Sequence, residues 1–182
     1  MSFNYTLSQI SEDDFLFIIA NGKRTSVVDG YDFKDATLFT YKFIKETIPN
    51  LIKNANFEKL IAMCFIDRGI GYFENEVKHL DHNKLLSFIL WIKDELESIN
   101  KLESHYLSGE PDIDMLASGI KDLDQFGNIN TIDQLAGGDV TKWKEVESLP
   151  YHIIFDKLYK TKIENDIQRK LNNIMKNKNK SK

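Results

Sequence analysis

One cysteine, three prolines, nine glycines and no long apolar run leave several classes of protein without their raw material. A lone thiol, Cys64, cannot close an internal disulfide. No apolar stretch approaches the roughly 18 to 20 residues a membrane-spanning helix needs, so a transmembrane protein is not expected. The N-terminus has no basic stretch followed by an apolar block and a small-residue cleavage site, so no secretory signal is expected and the Asn4-Tyr5-Thr6 sequon carries no meaning. A Ser, His and Asp arrangement, a phosphate loop, a zinc signature and a dinucleotide fingerprint are all missing. An enzyme is therefore the less expected class: no catalytic residue, cofactor or metal ligand is assigned.

What is present is 42% apolar residues, with 28 acidic against 24 basic side chains and a net charge of −4. That is too apolar and too nearly neutral for a wholly disordered chain, and long enough for one compact domain. Prolines and glycines fall mostly between apolar-periodic segments, the punctuation of a helical protein. The fold expected is mainly α, a helical bundle with a small N-terminal β-hairpin and a long C-terminal helix. Residues 1–108 form an N-terminal helical body, 109–150 a short-helix segment packing on it, 151–175 the long C-terminal helix, and 176–182 a disordered basic tail.

The clearest helix opens at Asp81 and carries Leu85, Ile89, Ile92, Leu96, Ile99, Leu102 and Tyr106 on one stripe before Gly109. Leu86, Phe88 and Trp91 widen its apolar face, so its first half is expected in a core and its second half half-solvated. Upstream, Asp35 caps a run through Ala36, Phe39, Phe43 and Ile44 that Pro49 should kink or end, and Asn56 caps a helix stopping at Gly69. The first 30 residues read either as a helix from Ser11 or as a hairpin of Phe15 to Ile19 with Thr25 to Val28; a helix followed by a short strand is favoured, with Phe3, Tyr5 and Leu7 as that strand's partner. Downstream, Ile113, Leu116, Ala117, Ile120 and Leu123 form a stripe that Gly127 ends. Thr131 caps a turn up to Gly137-Gly138, and Asp139 caps one presenting Val140, Trp143, Val146 and Leu149. Pro150 opens the last helix, with Tyr151, Phe155, Tyr159, Ile163, Ile167, Leu171 and Ile174 spaced by four and three.

Charge is unevenly spread. From Lys157 onward nine Lys and Arg face only Glu164 and Asp166, a net of +7, so the preceding 156 residues carry −11. An acidic body with a basic rod can associate head to tail, dock on an acidic partner, or touch nucleic-acid phosphates, and it can equally be an ordinary solvated helix end. The acidic body argues against a sequence-specific nucleic-acid reader. Asp122 to Asp133 (DLDQFGNINTID) approaches the spacing of an EF-hand loop, but Phe126 stands where an oxygen ligand belongs and Asp133 replaces the usual Glu, so a helix end followed by a cap is the competing account. His79 and His82 flank the cap Asp81 with no third ligand near. His105 and His152 are expected as partly exposed helix residues, Cys64 as a small core hydrophobe, and Asp112 with Asp114 as carboxylates answering a helix dipole.

Residues 108–171 carry Gly109-Glu110-Pro111-Asp112, the Phe126-Gly127 to Thr131-Ile132-Asp133 cap, Gly138-Asp139 to Trp143, and Leu149-Pro150-Tyr151 leading into a long helix. This third of the chain resembles tailed-bacteriophage virion proteins, particularly those of crAss-like phages. The resemblance implies a head-tail connector or ring protein of the portal vertex, made in the host cytoplasm and carried in the virion. Its partners would be copies of itself in a ring, the portal protein, and neighbouring tail or connector proteins, with non-specific proximity to packaged DNA and no membrane. Tyr151, Phe155, Tyr159 and Ile163 are then the expected docking stripe, and Arg169, Lys170 and Lys176 the charged contacts, although the same stripe would also serve as internal core. Other readings are a tail-assembly chaperone that binds a client transiently, a calcium-binding helical adaptor using the Asp122 loop, and a nucleic-acid-processing factor.

Overall fold

A computed structural model describes residues 22–71, 82–109 and 116–180. It is mainly helical, with a two-stranded antiparallel hairpin near the N-terminus and a long C-terminal helix. Strands β1 (Val27–Val28) and β2 (Tyr31–Asp32) pair with Val28 opposite Tyr31. Their loop is Asp29-Gly30, both at positive φ (49° and 78°), the two-residue turn whose twist matches paired strands. The expected strand at Thr25 to Val28 thus exists in its last two residues but pairs downstream. Its upstream candidates, Phe15 to Ile19 and Phe3 to Leu7, lie outside the described residues, as do the helix start at Ser11, His79, Asp81 and 110–115.

Asp35 does cap, accepting from the Thr37 amide at 2.8 Å, but only a 3₁₀ turn, Ala36–Leu38. Phe39 is extended, and the chain re-enters helix through a π turn, Phe43–Thr47, that runs into helix α1 (Ile48–Lys53). Pro49 therefore does not end the segment, and the distortion beside it is the π turn. Proline lacks the amide that would bond the carbonyl four residues back, and its ring crowds that carbonyl. The wider π turn bonds the Ile48 amide to the Phe43 carbonyl, and the stranded Lys45 carbonyl accepts from Asn128 Nδ2 at 3.4 Å.

Helix α2 (Phe57–Asp67) begins at the Asn56 cap and ends at Gly69, whose φ of 71° lets Ile70 bond back to the Phe65 carbonyl at 2.9 Å. Helix α3 (His82–Tyr106), about 37 Å long at 1.5 Å per residue, buries Leu85, Leu86 and Phe88 through Ile92, whereas Glu97, Ser98, Asn100 and Lys101 are exposed. Phe33 joins the layers: its ring meets Phe65 and Phe88 at 5.1 Å and Phe39 at 5.9 Å.

The stripe expected from Ile113 to Leu123 does not form a continuous helix in its described part. Gly119 turns left-handed (φ 84°) and a 3₁₀ helix, Ile120–Phe126, follows with Leu116 and Leu123 exposed. Helix α4 (Asn128–Leu135) starts ahead of the expected Thr131 cap. Asp139 caps as expected, accepting from the Thr141 amide at 3.0 Å, before a 3₁₀ turn (Val140–Lys142) and helix α5 (Trp143–Glu147). Ile132, Ala136 and Val146 enter the same core as the helices upstream, while Val140 stays exposed. Helix α6 (Tyr151–Lys180) runs past the expected end at 175 into the stretch read as disordered tail, since no proline or glycine interrupts it.

The candidate docking arm

Helix α6 is set on the body at one end by backbone and at one side by rings. Thr40 and Pro150 form an isolated antiparallel bridge, the Tyr41 amide bonds the Leu149 carbonyl at 2.8 Å, and the Tyr151 amide bonds the Phe39 carbonyl at 2.8 Å. Tyr151 is 1% exposed. Its hydroxyl donates to Glu103 Oε1 at 2.8 Å, Lys45 Nζ pairs with Glu103 Oε2 at 2.5 Å and stands 5.6 Å over the Tyr151 ring. Burial, then the Glu103 carboxylate, push the Tyr151 hydroxyl far above the ordinary tyrosine range, so it is held as a proton donor. Ile154 is buried, Phe155 and Leu158 pack partly on the core, and Tyr159 meets the Tyr106 ring edge-on at 5.2 Å. His152 Nδ1 lies 3.2 Å from the Thr37 carbonyl.

Beyond this anchor the cover over α6 from the described residues thins out. A Cβ added to Gly109, just past the end of α3, would lie 3.9 Å from Lys162. From Ile167 through Lys178 every side chain is exposed. At about 100° per residue, Ile163, Ile167, Ile174, Leu171 and Met175 fan over roughly a third of the helix surface, and they are 42%, 53%, 51%, 44% and 59% exposed. Ile153, five turns below Leu171 and in line with it, is exposed as well. The outward stripe is thus a different face from the one that meets Tyr106.

The residues expected to bind a partner therefore divide. Tyr151 lies in the core and Phe155 and Tyr159 in the half-buried anchor, the internal placement that the sequence also allowed for this stripe. Ile163 starts the uncovered stripe, whose larger part, Ile167, Leu171, Ile174 and Met175, the docking expectation left out. Lys170 flanks that stripe, and Lys160 and Lys178 lie in line with it. Arg169 and Lys176 project from the opposite side, with Arg169 paired to Asp166. Glu103, in the second half of α3 that is expected to be half-solvated, is the half-buried centre of the mount; its partners lie 48 and 58 residues away in the chain, and no local pattern points to them.

The Asp122 segment does not wrap an ion in the EF-hand manner. Its first five positions lie in the 3₁₀ helix and its last six in α4, and Asp133, the twelfth, accepts from Trp143 Nε1 at 3.1 Å. Among the described residues no group of three or more His, Cys, Asp or Glu side chains is placed to hold a metal ion. An open recess of about 530 Å³ beside Glu97, Asn100, Lys101, Ser104 and His105 is lined by α3 alone. Cys64 is fully buried, and burial raises its thiol well above the ordinary value, which suits a core residue. Among the described residues no helix is long and apolar enough to cross a membrane. The chain matches no family model, no curated protein and no solved structure. The fold and surface define a mainly helical body bearing a long, basic, amphipathic arm.

Proposed function

We propose that this protein is a structural assembly subunit that joins its neighbours through the outer half of α6. The observation that carries this reading is the exposed apolar stripe from Ile163 to Met175 on the outer half of α6. A helix in water draws most of its stability from packing an apolar face. Here that face is retained over about four turns with nothing from the described body against it, which suits a surface completed by another molecule. The resemblance of residues 108–171 narrows the reading to a head-tail connector or ring subunit at the portal vertex of a tailed phage. The neighbours would then be further copies, the portal and tail proteins, with packaged DNA passing close by.

Mass spectrometry of purified particles tests the reading. A connector subunit is recovered from the finished virion in fixed ratio to the portal protein. Recovery only from assembly intermediates, bound to a client, would replace it with a tail-assembly chaperone. Incorporation unchanged by Ile167→Glu with Leu171→Glu would overturn the arm's role.

A further inference from the structure

The arm has a counterpart on the body. In a 3₁₀ helix side chains three apart eclipse, so Ile120, Leu123 and Phe126 stand in one row, with Leu123 47% and Phe126 49% exposed. Asp122 and Asp124, both exposed, bracket Leu123. The Asn130 side chain donates to the Leu123 carbonyl and ties this row to the start of α4, where Ile129 is 42% exposed. One edge of the row thus carries Asp122 and Gln125 and the other Lys121 and Asp124; facing it would be the arm's apolar stripe with Lys170 beside it and Lys178 in line, Lys160 there being paired to Glu164 at 3.5 Å.

We infer that the row Leu123-Phe126, with Asp122 and Asp124, receives the arm of a second copy of this chain. The inference rests on the docking-arm reading and adds where the arm lands. Charge complementarity selects the occupant: the segment from Lys157 onward carries +7 and the rest of the chain −11, so another copy's body is a matched partner and another copy's arm is not. The two surfaces of one chain do not cover each other, because both are exposed, and α6 has neither proline nor glycine after Pro150 at which to fold back. Each copy thus offers one arm and one acceptor, a heterologous contact that repeats and closes into a ring or extends as a filament.

Sedimentation of the full-length chain tests this with variants at exposed positions. An arm variant, Ile167→Glu with Leu171→Glu, and an acceptor variant, Leu123→Lys with Phe126→Lys, are checked for unchanged helicity. The wild-type chain is expected to grow in size with concentration and each variant alone to stay monomeric. The two variants mixed should form a 1:1 dimer that grows no further, since one surface of each remains intact. Asp122→Lys with Asp124→Lys should weaken association by roughly tenfold or more, and adding Lys170→Glu with Lys178→Glu should restore it. If the arm variant is monomeric but the acceptor variant assembles like wild type, the acceptor lies elsewhere and this inference fails while the arm keeps its role. If wild type is monomeric at every concentration and low salt, the second copy is not the occupant. If both variants assemble like wild type, the arm reading falls too.

Discussion

Tyr151 shows what a single side chain does in this molecule. Its ring fills the space between Tyr41 and Phe155, and its hydroxyl holds the Glu103 carboxylate that Lys45 also grips. Tyr151→Phe keeps the ring and removes one bond to a charged acceptor, so urea unfolding should show a loss of about 1–2 kcal/mol. The same hydroxyl makes stability pH-dependent in a definite direction. Its folded pKa lies above the unfolded value of about 10, so the contribution is complete below that pH and declines as pH rises beyond it, when the unfolded chain ionises first. Tyr41, also raised by burial, adds to this slope. Alkaline titration followed by circular dichroism should therefore find Tyr151→Phe less sensitive above pH 10 than wild type. Cys64 offers a second residue-scale check: a thiol reagent should label it only as fast as the body opens, and at once in denaturant. Its burial was readable from Met63 and Phe65 beside it. The Tyr151 clamp was not, because it is assembled from three distant parts of the chain.

At the scale of elements, local punctuation accounts for most of the helices. The Asn56 and Asp139 caps, the Gly69 stop and the periodicity of α3 work through neighbours within one or two turns, and the structure has them where the residues predict. Pro49 distorts its helix without ending it, because the Lys45 carbonyl that it leaves without an amide accepts from Asn128, a partner no local pattern supplies. Gly127 is the sharpest joint: with φ 51° and ψ −125° it occupies a region closed to other residues, so Gly127→Ala should destabilise by about 1–3 kcal/mol and disturb the start of α4. The division of α6 gives a direct test by truncation. Ending the chain after Lys162 removes only the arm and should leave the thermal midpoint of the body close to wild type. Ending it after Pro150 also removes the buried Tyr151 and Ile154, and should cost several kcal/mol or abolish folding.

For the molecule as a whole, the split between a basic arm and an acidic remainder is what would bring copies together in the proposed assembly. Opposite charges on one chain raise encounter rates at low ionic strength, and salt screens them over roughly 10 Å at 0.1 M. Self-association measured by light scattering should therefore weaken as salt rises, and the dependence should flatten when Lys170 and Lys178 are both changed to Gln. An association that strengthens steadily with salt would point to apolar contact alone. The charge split is visible by counting, since charge needs no coordinates to be summed. The row proposed as acceptor is not legible in the sequence, because Ile120 and Leu123 read as part of one helical stripe, whereas the left-handed turn at Gly119 and the tighter 3₁₀ winding bring Leu123 and Phe126 to the surface.

Residue order alone settled the helical class, the spans of α3 and the start of α6, the caps at Asn56 and Asp139, and the placing of positive charge at one end. All of these follow from interactions within a few residues or from simple addition. Folding settled which turns of α6 are covered: its apolar pattern continues from Tyr151 to Met175 without a break, but Tyr106, the Thr40 bridge and the Glu103 clamp reach only as far as Tyr159. Periodicity tells a helix that it has an apolar face. What stands opposite that face depends on segments brought close only when the chain is folded.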